Sequence, residues 1–245
     1  MNTSKYIDFA LLSPIATEQE VIDHCFKARN NDYYAVNVNS AFVPLAKQLL
    51  EDTDVKVSTV VGFPLGATST KAKSFEAKNA IEEGADEIDM VINLGYLKSR
   101  NYVAVFRDIS DVKMAIGNTP LKVIIEISEL NKNEIVKACE ICLDAKADYI
   151  KTSTGFSKNG ATLTAVKIIK KIVKNKVKIE ASGGIDDCYT LLKYIEAGAD
   201  RVSSSSETEI TNKNPIARNS KIYKKYIDSL EKKEAKITSN INSLN

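Results

Sequence analysis

Short runs of β-branched and aromatic residues alternate with longer segments whose apolar residues recur every three or four positions, and the alternation continues along most of the chain. Eight runs read as strands: "YIDFALL" from Tyr6, "YYAVNVN" from Tyr33, "VKVSTVVGF" from Val55, "EIDMVIN" from Glu87, "LKVIIEI" from Leu121, "YIKTSTG" from Tyr149, "VKIEASGG" from Val177 and "RVSSSS" from Arg201. Their Val, Ile, Tyr and Thr content, and the Gly, Pro or Asn near their ends, favour strand over helix. Between them lie helical segments such as "KSFEAKNAIEEGA" and "NEIVKACEICLDAKA". Eight βα units in one chain predict a single-domain (β/α)8 barrel over residues 1–230, of the TIM type. A doubly wound open sheet is the alternative, and it is disfavoured because no glycine-rich phosphate fingerprint follows the first strand. Residues 231–245 are polar with no periodic apolar face, which predicts a C-terminal tail.

In such a barrel the chemistry collects at the C-terminal ends of the strands. Those ends carry Asp89, Asn93, Lys151, Thr152, Ser153, Glu180, Ser182 and the run Ser203 to Ser206. Strand side chains alternate in direction, so Asp89, Lys151 and Glu180 are placed to meet inside the barrel. Lys122, Glu126 and Lys178 are further charges within strand runs. Dehydrating so many ions is costly, and the two uses that repay it are a structural ion-pair network and catalysis. A lysine in "DYIKTSTGF" can attack a carbonyl to form an imine, which then serves as an electron sink for making or breaking a neighbouring carbon–carbon bond. A nearby carboxylate such as Asp89 is suited to the proton transfers this requires.

Composition narrows the alternatives. The 245 residues carry 34 basic and 32 acidic side chains for a formal net charge of +2, a balance that gives no reason to expect nucleic acid or a membrane surface as partner. With His24 as the one histidine, a histidine-rich metal site is nearly excluded, and its position on an amphipathic segment suggests a structural role, which nearly excludes a Ser-His-Asp triad as well. Cys139 and Cys142 form a C-x-x-C with no second pair, so they read as two small buried residues on one helix face. No apolar run approaches a membrane span and no leader is apparent near Met1, so a cytoplasmic location is expected.

"YIKTSTGF" resembles the imine-forming strand of the deoxyribose-phosphate aldolase family, class I aldolases with a barrel fold. "VVGFPLGA", "GADEIDMVINLGYLKS", "LKVIIEISEL", "ASGGI" and "AGADRV" fall in that family's order and spacing. The resemblance implies reversible cleavage of 2-deoxyribose 5-phosphate to glyceraldehyde 3-phosphate and acetaldehyde, with no metal or organic cofactor. It places the imine at Lys151 and the acid/base at Asp89. The expected substrate-binding set is Thr152, Ser153, Gly155, Gly183, Gly184, Ser205, Ser206 and Lys122. The expected partners are a small aldehyde or sugar phosphate and further copies of the chain, as a dimer or tetramer.

The chain departs from the family at the site itself. Glu180 stands where the family has a second lysine, and a carboxylate there favours the charged form of Lys151. Lys178, two residues earlier on the same strand face, is placed to offset it. Asp186 and Asp187 follow "GGI" where an arginine is usual, Ser203 replaces a glycine, Phe9-Ala10 replaces His-Thr, and Ser13 replaces a lysine. Two further readings therefore accompany the aldolase: an enzyme of shifted specificity using Glu180 as acid/base, and a catalytically silent barrel that binds or assembles.

Overall fold

The computed structural model describes residues 3–205, so Ser206 and the expected boundary between residues 230 and 231 lie outside the described residues. Eight parallel strands close into one barrel in sequence order. They are β1 (Ile7–Leu11), β2 (Ala35–Val38), β3 (Lys56–Val61), β4 (Glu87–Val91), β5 (Leu121–Ile124), β6 (Tyr149–Lys151), β7 (Lys178–Ser182) and β8 (Arg201–Ser204). Each falls inside a run identified by its β-branched content, usually shorter because the run continues into the loop above. The helices are α1 (Glu18–Asn31), α2 (Val43–Leu50), α3 (Thr70–Glu82), α4 (Leu94–Lys98), α5 (Tyr102–Ile116), α6 (Lys132–Asp144), α7 (Leu163–Val173) and α8 (Cys188–Glu196). The α-helices alternate with the strands, with the β4–β5 crossover carrying two, the short α4 and the longer α5. No helix among the described residues is long and apolar enough to cross a membrane.

Local chemistry sets the helix starts. Thr17 and Asn131 begin α1 and α6 with reciprocal caps, each side chain accepting a backbone N–H while Glu20 or Glu134 reaches back to the cap. The outward strand faces and inward helix faces are aliphatic: Ile88, Met90, Leu121, Val123, Ile150 and Ile179 are all fully buried. Cys139 and Cys142 belong to this layer on α6, where burial pushes the Cys139 thiol up to about 12 and raises Cys142 as well. His24 is also structural. Its ring stacks on Phe9 at 3.7 Å, its Nε2 lies 2.9 Å from the Phe9 carbonyl, and burial lowers its pKa to about 4.

The barrel interior is ionic where such barrels are usually filled by branched aliphatic residues. Strands β1 and β5 are on opposite sides of the barrel, as are β4 and β8, so contacts between them can only cross the interior. Lys122 of β5 pairs with Asp8 of β1. Arg201 of β8 forms a bidentate pair with Glu87 of β4 at 2.9 and 3.0 Å, donates to the Tyr149 hydroxyl at 3.0 Å and lies over the Tyr34 ring. Two parallel N–H bonds from a planar guanidinium make this the best-directed of the buried pairs. Burial alone would raise the Glu87 pKa, but Lys122 and Arg201 together bring it below the usual carboxylate value.

The substitution Arg201→Met should therefore lower stability at neutral pH by about 3–5 kcal/mol, the usual cost of stranding a buried partner. Because Glu87 has a depressed folded pKa, its contribution is present above the unfolded carboxylate pKa and is lost as pH falls through the folded one. The gap between wild type and variant in denaturant unfolding should accordingly narrow in acid. A gap independent of pH would contradict the pairing.

Candidate active site

The interior ions converge beneath the C-terminal ends of the strands. Register pairs Asp89 with Lys122 across β4 and β5, and Lys151 with Glu180 across β6 and β7. Lys122 is fully buried and reaches four carboxylates: Asp8, Glu87 at 3.0 Å, Asp89 at 3.3 Å and Glu180 at 3.0 Å. Above it, Lys151 Nζ donates to Asp89 Oδ2 at 2.6 Å and lies 2.7 Å from Glu180 Oε1. Asp89 also accepts from Asn37 at 2.8 Å and Ser58 at 3.0 Å, so both its oxygens are engaged and its orientation is fixed. The contacts to Glu180 are close ion pairs, but neither of its oxygens is held by a directed hydrogen bond. Its lone pairs are thus the least committed in the cluster.

Burial opposes the charge on Lys151, yet Asp89 and Glu180 outweigh it and hold its pKa above the ordinary lysine value. The same balance, with Asp8, Asp89, Glu180 and Glu87 as partners, raises Lys122 as well. Asp8, Asp89 and Glu180 offer oxygens within 4.8 Å of one another, a spacing that suits a divalent cation. The position among them is taken by ammonium groups: Lys122 contacts all three and Lys151 two. The cluster's countercharge is therefore built from lysine.

A cavity of about 320 Å³ opens above Lys151, which is 2% exposed at its base. Of the expected substrate-binding set, Ser153, Gly155, Gly183, Gly184 and Ser205 line it with Lys151. Thr152 and Lys122 do not. Thr152 is fully buried, and its hydroxyl bonds to the Ser182 backbone at 2.9 and 3.1 Å, tying the end of β6 to β7. Ser153 Oγ is buried without a hydrogen-bond partner, a hydroxyl left for something in the cavity. The loop after β6 is braced from below by Glu126, a non-glycine residue with φ of 52°, which accepts from the Thr154 backbone at 3.1 Å and from its hydroxyl.

The offset expected from Lys178 is a correction. Lys178 is exposed at the start of β7, with its Nζ 5.3 Å from the centre of the Tyr149 ring, and it is Lys122 that reaches Glu180. Sequence reasoning also passed over Asp8, Glu87 and Arg201, and the walls supplied by Leu12, Phe63 and Phe156. Period-two spacing was a usable signal for Glu87, two residues before Asp89; the wall residues come from loops whose course no spacing reveals.

A closed parallel barrel, with an ion-paired lysine at the base of a cavity among the strand ends, is the architecture of a (β/α)8 enzyme. The comparisons narrow it. The model of the DeoC/LacD family aldolases matches residues 6–203, and the chain belongs to that family. It is 50% identical over 210 residues to the deoxyribose-phosphate aldolase of Finegoldia magna, covering 86% of this chain and 99% of that protein. Among solved structures it is similar to the aldolase QR15, with 43% identity, a TM-score of 0.83, and coverage of 86% of this chain and 94% of the other. It is also similar to the deoxyribose phosphate aldolase of Aeropyrum pernix, described as having a unique tetrameric structure, with 31% identity, a TM-score of 0.78, and coverage of 85% and 88%.

The cavity wall depends on a close backbone approach. A Cβ on Gly183, which has φ of 93°, would lie 2.7 Å from Gly160 Cα, whereas one on Gly184, with φ of 73°, would meet open space. Both alanine variants should lose about 1–2 kcal/mol from the left-handed backbone. Gly183→Ala should lose clearly more in equilibrium unfolding, because the clash is added. Equal losses would show that the two loops can separate freely.

Proposed function

We propose that the protein is a class I aldolase of the deoxyribose-phosphate type, which splits a 2-deoxy-sugar aldol into acetaldehyde and a three-carbon aldehyde through an imine on Lys151. The observation that carries this reading is the placement of Lys151 at the base of the cavity, with two carboxylates within 2.7 Å of its Nζ. Its relatives' names support the same chemistry.

At rest the lysine is an ammonium, because its partners hold its pKa high. Attack needs the free amine, so a proton must leave as the carbonyl enters. Glu180 is the acceptor in this account, since its oxygens carry no directed hydrogen bond. The amine adds to the carbonyl carbon, the resulting carbinolamine loses its hydroxyl as water, and a protonated imine forms. Asp89, held by Asn37 and Ser58, takes the proton of the substrate hydroxyl on the carbon being released. The carbon–carbon bond then breaks, its electron pair passing into the iminium to give an enamine, and the three-carbon aldehyde leaves toward the mouth. Reprotonation of the enamine carbon and hydrolysis of the imine release acetaldehyde and restore the amine. A homo-oligomeric state and a cytoplasmic location belong to the same reading, the first supported by the tetrameric relative.

Borohydride reduction in the presence of acetaldehyde tests the step directly. The expected result is an ethyl adduct on Lys151, located by peptide mass, whose yield rises with pH because the raised lysine pKa keeps the free amine scarce at neutrality. Asp89→Asn should lower aldol turnover by about 100-fold or more, in the range of a lost acid/base group. Absence of an adduct at every pH would reject the imine mechanism and leave a barrel that binds without reacting.

A further inference from the structure

We propose that this site takes an uncharged 2-deoxy sugar, with a hydroxyl rather than a phosphate at the end remote from the carbonyl, and that Asp186 determines this preference. The inference rests on the aldolase reading for the position of the carbonyl at Lys151, but its argument concerns the other end of the cavity.

Among the described residues lining the cavity, Lys151 and Asp186 are the charged ones. Lys151 is matched by two carboxylates of its own and lies at the base. Asp186 stands at the mouth, exposed, on the loop that leaves β7 through Gly183 and Gly184. The next residue, Asp187, caps α8. Its carboxylate accepts from the Thr190 hydroxyl at 2.6 Å and the Thr190 backbone at 2.8 Å, and these bonds hold its pKa below the usual carboxylate range. The positive end of α8, which would otherwise attract an anion, is thus already satisfied by an anion belonging to the chain. A phosphate dianion arriving here meets carboxylates of its own sign.

A hydroxyl-bearing tail meets a better match. Ser153, Ser203 and Ser205 line the same space, and the Ser153 hydroxyl is buried without a partner. Hydroxyls both donate and accept, and the Asp186 carboxylate is a strong acceptor for a sugar O–H. The volume of about 320 Å³ lies at the small end of the range for small-molecule sites, as suits a five-carbon sugar.

Calorimetric binding of 2-deoxyribitol and of its 5-phosphate to the intact protein separates the cases. These open-chain alcohols have no carbonyl, so they report the far end of the site whether or not Lys151 forms an imine. Wild type should bind the neutral alcohol at least as tightly as the phosphate ester. Asp186→Lys should tighten the ester by about tenfold or more, a change of roughly 1.4 kcal/mol, and should weaken the neutral alcohol, which loses the carboxylate acceptor. Wild-type protein that prefers the ester by more than about tenfold, or that binds neither alcohol, would overturn the proposal. An Asp186→Lys variant with an unchanged preference would remove Asp186 as its cause. Failure of borohydride trapping alongside a neutral preference would reject only the imine, and successful trapping alongside an ester preference would reject only the specificity.

Discussion

The ion cluster inside the barrel is the constraint on which the rest of the structure turns. Asp8, Glu87, Asp89 and Glu180 share the buried barrel interior with Lys122, Lys151 and Arg201. At about 3 Å and an effective dielectric near 20, each opposite pair is worth roughly 5 kcal/mol, against several kcal/mol of desolvation for every ion. The balance is narrow, and it holds only because the barrel fixes the geometry. Lys122 is the centre of that geometry, since it alone touches all four carboxylates. With four negative groups to three positive among the described residues, the cluster has one more proton-accepting group than ammonium or guanidinium to match it. That surplus is what a lysine nucleophile needs when it must shed a proton inside a protein.

The same surplus has a cost in reactivity. Two carboxylates against Lys151 keep it charged and therefore inert until a substrate shifts the proton. A site with a cation in place of Glu180 would free the amine by repulsion; this one must free it by transfer. On the imine mechanism proposed for Lys151, the difference predicts a slower enzyme with a more alkaline optimum. It also divides the carboxylates by their surroundings: Asp89 is locked by hydrogen bonds from Asn37 and Ser58, and Glu180 is held by charge alone.

Much of this was legible in the chain. The eight strands, the barrel and the meeting of Lys151 with Asp89 and Glu180 follow from apolar periodicity and from the alternation of strand side chains. The rest was hidden for identifiable reasons. Asp8 and Arg201 sit near strand starts, where a charge ordinarily faces solvent, and spacing along the chain does not say that their side chains cross the interior to Lys122 of β5 and Glu87 of β4. Lys122 and Lys178 have equal claims on Glu180 by spacing. The stagger between neighbouring strands decides between them, placing Lys122 below the site and Lys178 at the open bottom end. The acidic mouth could be read as Asp186 and Asp187, but that Asp187 occupies the start of α8 depends on its backbone conformation, with φ of −134° and ψ of 156°.

The central claim is that Asp89 and Glu180 keep Lys151 protonated. An NMR pH titration of isotope-labelled lysine Nζ groups, with Lys151 assigned by comparison with Lys151→Met, measures it without requiring any substrate. The account predicts that Lys151 titrates above the ordinary lysine value of about 10.4 and that Glu180→Gln moves it down. A Lys151 that titrates at or below that ordinary value in wild type would contradict the account, because the amine would then be free without any help from Glu180.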